Sequence, residues 1–316
     1  MDSCSEWRFK NVPMTHARPA RIRTSGSFPL DDPRPKTEKQ PPEDDLPERL
    51  YLELLKRCLT RTAFPERYAP IRQQKTLPRK MVWALCQRLL APLKLEIVRS
   101  KEFDLCAREE GLDWPGEAET MVGLKRLDNL ESCITDVLRH GVPGDLIETG
   151  VWRGGASIFM RAVLEVSGDT QRTVWLADSF QGLPKPDPRN FPADAGDKLW
   201  KHATLAVPLE EVQMNFRRYG LLDDQVRFLV GWFRDTLKTA PIERLAVLRL
   251  DGDMYESTIE ALTCLYPKLS CGGYAIIDDY ALPGCRAAVD DYRTEHQIKE
   301  PLVQIDRYAK FWQRLS

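Results

Sequence analysis

The sequence predicts an α/β fold: a Rossmann-like, doubly wound parallel sheet with an antiparallel C-terminal strand and an N-terminal helical extension. Three observations carry that expectation. Two short apolar runs, Leu245–Leu250 and residues 273–277, end in acids, Asp251 with Asp253 and Asp278 with Asp279, and a segment of helical spacing separates them. This is the pattern of adjacent parallel strands joined by a helix. Upstream, a strand-like run from Asp145 enters a turn holding Gly150, Gly154 and Gly155, and then a helical pattern through Val166. Near the C-terminus, residues 302–305 and 308–312 alternate around Asp306-Arg307, as a closing antiparallel hairpin does.

Composition narrows the function classes. A chain of 316 residues suffices for one large domain, or one domain with an appendage. With 46 basic and 47 acidic residues it lacks the electrostatic footprint of a nucleic-acid partner. No apolar run reaches bilayer length, and the start Met-Asp-Ser-Cys-Ser-Glu lacks the apolar core of a signal peptide. The expectation is a cytoplasmic protein without a membrane partner. Its 8 Cys show no Cys-x-x-Cys pair, so reduced, mostly buried thiols are expected rather than a disulfide framework or a zinc site.

In chain order, residues 1–45 are rich in Pro, Arg, Lys, Ser and Asp and poor in large apolar groups, the composition of a disordered tail. Helical spacing follows over Leu46–Leu59 and again over 81–98, so residues 46–118 read as a helical lid or oligomerisation region. Residues 119–316 make the main domain. A helix is expected to about His140, then the first strand to Gly150. A second strand, 173–178, ends in Asp178, where a doubly wound fold places the carboxylate that holds ribose hydroxyls. The Gly-rich turn matches neither the Gly-x-Gly-x-x-Gly of dinucleotide folds nor a P-loop. With an acid, Glu148, at the strand end and no phosphate-binding lysine, it favours a cationic or hydroxyl-bearing ligand. Residues 179–197 are dense in Pro, Gly and Asp, and a loop of that length in a compact domain is usually functional. A helix over 209–219, a third strand over Val226–Val230, the aromatic pair Trp232-Phe233 and a helix over 286–295 complete the order. Trp232 offers a face to a purine or, equally, to the core.

In open α/β sheets ligands bind beyond the carboxyl ends of the strands. Four carboxylates meeting there repel one another unless a positive charge joins them, and all-oxygen ligands suit Mg²⁺. The alternative is that these acids cap helices, Asp253 first among them. Asp251-Gly-Asp253 also fits the Asp-x-Asp of metal-dependent nucleotide-sugar glycosyltransferases, and a non-catalytic cofactor-binding scaffold is a third reading. His202, just past the long loop, is the one histidine placed to face a substrate.

Five segments carry a resemblance to a known family: Glu119-Thr-Met-Val-Gly-Leu-Lys-Arg-Leu-Asp-Asn-Leu, Leu146-Ile-Glu-Thr-Gly-Val-Trp-Arg-Gly-Gly-Ala, Ala177-Asp-Ser-Phe-Gln-Gly-Leu-Pro, Leu248-Arg-Leu-Asp-Gly-Asp-Met-Tyr-Glu-Ser-Thr and Ile276-Ile-Asp-Asp-Tyr. Together they resemble the macrocin O-methyltransferase family, whose members methylate sugar hydroxyls of natural products using S-adenosylmethionine and Mg²⁺. The resemblance implies a class I methyltransferase sheet and a small-molecule glycosylated substrate. It implies metal ligation by Asp251, Asp278 and Asp279, with Asp253 as general base. Cofactor contacts are implied for Glu148, Gly150 and Asp178, for Thr120 and Met121 at the methionine part, and for Ser157, Ser179 and Trp232. Family members self-associate, so a homo-oligomer is expected.

Overall fold

The computed structural model describes residues 46–70, 77–95 and 97–315; the expected tail, residues 1–45, lies outside them. The elements in chain order are α1 (Leu46–Leu59), β1 (Tyr68–Pro70), α2 (Leu77–Leu90), β2 (Val98–Ser100), α3 (Leu105–Glu109), α4 (Leu124–Arg139), β3 (Asp145–Thr149), α5 (Gly155–Val166), β4 (Val174–Asp178), α6 (Leu209–Arg218), β5 (Val226–Val230), α7 (Phe233–Thr236), β6 (Leu245–Leu250), α8 (Tyr255–Leu265), β7 (Leu269–Ile277), α9 (Pro283–Glu295), β8 (Val303–Gln304) and β9 (Lys310–Gln313).

These elements form two compact units. In residues 68–101, β1 and β2 pair antiparallel, Tyr68 opposite Ser100. The helix expected over 81–98 is instead α2, Leu77–Leu90. Pro92 stands in the first turn after it, and a proline ring cannot continue the helical ladder; a short 3₁₀ turn and a left-handed Lys94 (φ 53°) lead the chain into β2.

The other unit, residues 46–67 and 102–315, carries the sheet in the order β5-β4-β3-β6-β7-β9-β8. Strands β3 to β7 are parallel, whereas β9 inserts antiparallel between β7 and the edge strand β8. The chain winds outward from β3 through β4 to β5, then returns to β6 on β3's other side. That reversal is the topological switch point at which such sheets bind ligands.

Alternating side chains build a core on each face. Leu146, Val174, Leu176, Val226, Val247 and Ile276 meet α1, α4, α5 and α6, while Ile147, Trp175, Ala177, Leu248, Leu250, Ala275 and Ile277 meet α8, α9 and Trp312. Helix α5 is buried on all sides from Gly155 to Leu164, as its mostly apolar sequence favours, with Arg161 buried through ion pairs to Glu165 and Asp223. Its outer cover is α1: Leu52, Leu55 and Leu59 join the cluster around Phe159. The Lys56 ammonium, itself 3% exposed, lies 5.8 Å above the Phe159 ring and pairs with Glu53, Asp128 and Glu131 at 2.8, 2.6 and 2.6 Å. Helix α1 is thus part of the sheet-bearing unit.

Because Leu59 is fully buried in that contact, Leu59→Ala should cost about 3 kcal/mol. Its urea midpoint checks this, and a midpoint equal to that of the parent would refute the docking of α1.

Candidate active site

The strand register aligns the functional residues in one row. Thr149 pairs with Ala177 and with Leu250, and Leu250 pairs with Ile277. The next residue on each strand is therefore Asp178, Gly150, Asp251 and Asp278, side by side beyond the carboxyl edge. The ladder continues through them: Gly150 N–H donates to Ala177 O (2.9 Å), Asp251 N–H to Thr149 O (2.8 Å) and Asp278 N–H to Leu250 O (2.9 Å). Gly150 takes φ +84°, and a Cβ there would lie 1.7 Å from Asp251 O, so this position accepts only glycine.

Behind the row sits Arg249, 2% exposed although it belongs to an otherwise apolar strand. Its Nη1 donates to Glu148 Oε1 and, at 3.0 Å, to Asp251 Oδ2, while Nη2 donates to Asp278 Oδ1 at 2.5 Å. A second buried guanidinium, Arg126 of α4, donates through Nη1 to Asp278 Oδ2 and through Nε to Asp306 Oδ2 at 2.6 Å. Asp306 in turn accepts the N–H groups of Tyr308 and Ala309 at 2.8 Å. Glu148 is also held by the Ser157 hydroxyl of α5, which donates to Oε2. Burial pushes the Glu148 carboxyl up to about 7, with Arg249 and Ser157 opposing the shift.

The two guanidiniums do not balance the acids around them. Oxygens of Asp251, Asp278 and Asp279 lie within 4.8 Å of one another. Asp279 is pushed well above the usual carboxylate range by burial and by the charges of Asp253, Asp251 and Asp278. Asp251 is raised too, first by burial and then by Asp278. Hard oxygen donors at this spacing, short of positive charge, fit a divalent cation. Among the described residues a second acidic group of this kind, Glu53, Asp128 and Glu131, is already served by the Lys56 ammonium.

Asp253 does not cap α8, contrary to the bland reading of its position. The N-cap is Met254, and the carboxylate of Asp194 accepts from Tyr255 N (2.7 Å) and Glu256 N (3.0 Å). Asp253 itself lies in the left-handed region (φ 59°), a sparsely populated conformation that aspartate tolerates and that functional sites retain. Its N–H donates to Asp279 Oδ2 at 3.1 Å, so the metal-type cluster fixes the turn that presents it.

A cavity partly open to solvent runs along this edge. Of the sequence-expected residues, Met121, Gly150, Asp178, Ser179, Trp232, Asp251 and Asp253 line it; Thr120, Glu148, Ser157, Asp278 and Asp279 stand behind. Thr120 is buried against Gly155, its hydroxyl accepting Val122 N at 3.1 Å. Burial raises the Asp178 carboxyl, but Val151 N and Phe180 N donate to it at 2.7 Å each and oppose that rise. Ser179 Oγ closes the following turn by donating to Gly182 O (2.8 Å). Leu183 and Pro184 of the long loop line the cavity, as does Leu205 of the segment that follows it, and Trp152 Nε1 ties that segment down by donating to Thr204 O at 2.8 Å. His202 is not in the lining; its ring stands edge-on to Trp114, centroids 5.6 Å apart.

Sequence reasoning missed four participants. Arg249 was hidden within an apolar run, Arg126 looked like a helix-surface residue, and Asp194 was one of several loop acids. Glu260, on the cavity wall and raised to about 7 chiefly by burial, looked like an exposed helical acid. A charged residue inside a strand bounded by buried Leu248 and Leu250 was the one available signal.

Replacing Arg249 by Leu leaves Glu148 and Asp278 short of a buried partner, at a cost of about 3–5 kcal/mol near pH 8. The sign with pH follows from Glu148. A carboxyl raised to about 7 in the fold, against about 4.3 unfolded, contributes stability below pH 4.3 that is lost as the pH rises through 7. Removing Arg249 raises it further, so the gap between Arg249→Leu and the parent should be wider at pH 8 than at pH 5.5. Equal gaps in urea titrations at the two values would contradict this.

Residues 48–314 match the Macrocin-O-methyltransferase (TylF) family. The chain is 53% identical over 268 residues, 84% of its length and 93% of the relative's, to the 8-demethyl-8-(2,3-dimethoxy-alpha-L-rhamnosyl)-tetracenomycin-C 4'-O-methyltransferase of Streptomyces olivaceus. It is 56% identical over 211 residues, 66% of its length and 83% of the relative's, to the mycinamicin III 3''-O-methyltransferase of Micromonospora griseorubida. The solved structure of the O-methyltransferase NovP superposes with a TM-score of 0.73 at 46% identity, covering 85% of this chain and all of that one. The glycosyltransferase and scaffold readings fall away, and this chain belongs to the macrocin O-methyltransferase family, as an S-adenosylmethionine-dependent O-methyltransferase with a class I sheet.

Proposed function

We propose that the chain methylates a sugar hydroxyl of a glycosylated natural product, with Mg²⁺ held by Asp251, Asp278 and Asp279 and with Asp253 as general base. The observation that supports it best is the three-acid cluster, short of positive charge and adjoining a cavity that Asp253 and Asp178 both line. Relatives named for 4'-O methylation of a rhamnosyl group and 3''-O methylation of mycinamicin III support the acceptor class. Bound in place, S-adenosylmethionine supplies the electrophilic methyl group and Mg²⁺ supplies Lewis acidity to the acceptor hydroxyl.

The chain's own residues do the rest. Asp178 accepts the ribose hydroxyls, Gly150 admits the ligand against the backbone, and Trp232 offers its indole face to the purine. Met121 and Thr120 border the methionine end. Asp253 takes the hydroxyl proton; a carboxylate is a weak base for an alcohol, so it works only on a hydroxyl acidified beforehand. Arg249 and Arg126 orient Asp278, and the loop through Leu183 and Leu205 keeps water from the cavity. The lid or oligomer role expected of residues 46–118 is narrowed to residues 68–101, where Leu85, Leu89, Leu93 and Leu95 are exposed, and self-association through them is part of the proposal.

Two variants separate the roles. Asp178→Ala should weaken S-adenosylhomocysteine binding about 10- to 100-fold in isothermal titration, as loss of hydrogen bonds to a charged group implies. Asp253→Asn should retain that affinity while turnover drops about 10²- to 10⁴-fold. Unchanged affinity in the first, or full turnover in the second, would remove the residue from its role. For the metal, Asp279→Asn is the informative change, because Asp278 also satisfies two guanidiniums. It should abolish the response of turnover to added Mg²⁺, and a variant as Mg²⁺-responsive as the parent would sink the assignment.

A further inference from the structure

A second cavity opens on the same sheet edge, one strand beyond the acidic cluster. Because β9 runs antiparallel, its first residue, Lys310, lies opposite Ile277, the last residue of β7 before Asp278. Tyr280 follows directly on Asp279, and Ala281 N–H donates to Tyr308 O at 3.0 Å, which closes the floor. The walls are Arg286, Arg307, Lys310 and Gln304, with the phenol rings of Tyr280 and Tyr308. Among the described residues no acid lines this cavity, whereas its neighbour is lined by Asp178, Asp251, Asp253, Glu256 and Glu260 against one cation, Arg234.

Lys310 Nζ lies 4.3 Å and the Arg286 guanidinium 5.5 Å from the Tyr280 ring centroid. Arg307 has Glu110 at 4.0 Å, the outer limit of an ion pair, with its side chain 74% exposed. Asp290 is turned to the Tyr280 hydroxyl (2.8 Å), and Asp306 is buried against Arg126. Arg126 also lies 5.8 Å from the Tyr308 ring centroid while it grips Asp278, so one side chain meets a wall residue of this cavity and a member of the acidic cluster.

Resting on the acceptor reading above, we propose that this cavity is a subsite for an oxyanion carried by the acceptor next to its methylated sugar. The sulfonium and the metal belong to the acidic cavity, and a group extending from the metal-held sugar past Asp279 meets three cations and two aromatic faces. A phosphate ester, as in a nucleotide-linked sugar, and an ionised acidic group of an aglycone share that chemistry.

The test uses the full chain saturated with S-adenosylhomocysteine in Mg²⁺-free buffer, so that the metal cluster draws no anion. Pyrophosphate and salicylate are titrated calorimetrically into the parent and into the Arg286→Gln, Arg307→Gln, Lys310→Gln triple variant. Binding of either probe that weakens about tenfold in the triple variant, with S-adenosylhomocysteine affinity unchanged, supports the subsite. A response to pyrophosphate assigns a phosphate-linked acceptor, and a response to salicylate an ionised aglycone. Absence of binding by both probes, or equal binding by the triple variant, overturns it. A parent that fails to bind S-adenosylhomocysteine would strike the methyl-transfer reading instead, while the anion titrations still decide the subsite.

Discussion

The Arg249 guanidinium is the fixed point of this enzyme. Buried one residue short of the end of β6, it joins three adjacent strands through side chains: Glu148, its register partner on β3, Asp251 just past its own strand and Asp278 just past β7. A buried cation is costly unless every donor is satisfied, and here the satisfying partners include two members of the three-acid cluster, Asp251 and Asp278. Arg126 adds a second clamp, reaching from α4 to Asp278 and to the Asp306 turn of the β8–β9 hairpin. Remaining negative charge is left on the exposed side of the row, toward the cavity. The sheet thus holds its acids through buried ion pairs and still leaves oxygens of Asp251, Asp278 and Asp279 within 4.8 Å of one another.

Much of this was legible in the sequence because the signals were local. Strands β5 and β6 and helices α1 and α5 end where their apolar patterns end. The Gly-rich turn declared its backbone need, since Gly150 occupies a conformation and a space closed to other residues. The strand-end acids were found by position alone, and the register then set them in one row.

What stayed hidden depends on partners distant in sequence. Arg249 and Glu148 are 101 residues apart, and Arg126 and Asp278 are 152 apart. Asp194 caps a helix that starts 61 residues later. No window of periodicity reports such pairs. Capping rules pointed to Asp253 because it precedes α8, but the long loop supplied the cap and left Asp253 in a strained turn facing the cavity. The second helix was overextended because Pro92, Lys94 and the short β1–β2 pair had no weight in a pattern of apolar spacing.

The cover of α5 by α1 has a bearing on how the chain assembles. Leu59 and Phe159 stand about a hundred residues apart in sequence yet share one core, and contacts of such separation form late because a long loop must close first. Helix α1 leaves the ribosome well before the helix it protects exists. A fragment lacking α1 would present the apolar outer side of α5 to water, so the sheet-bearing unit depends on a segment that precedes the 68–101 unit inserted into it.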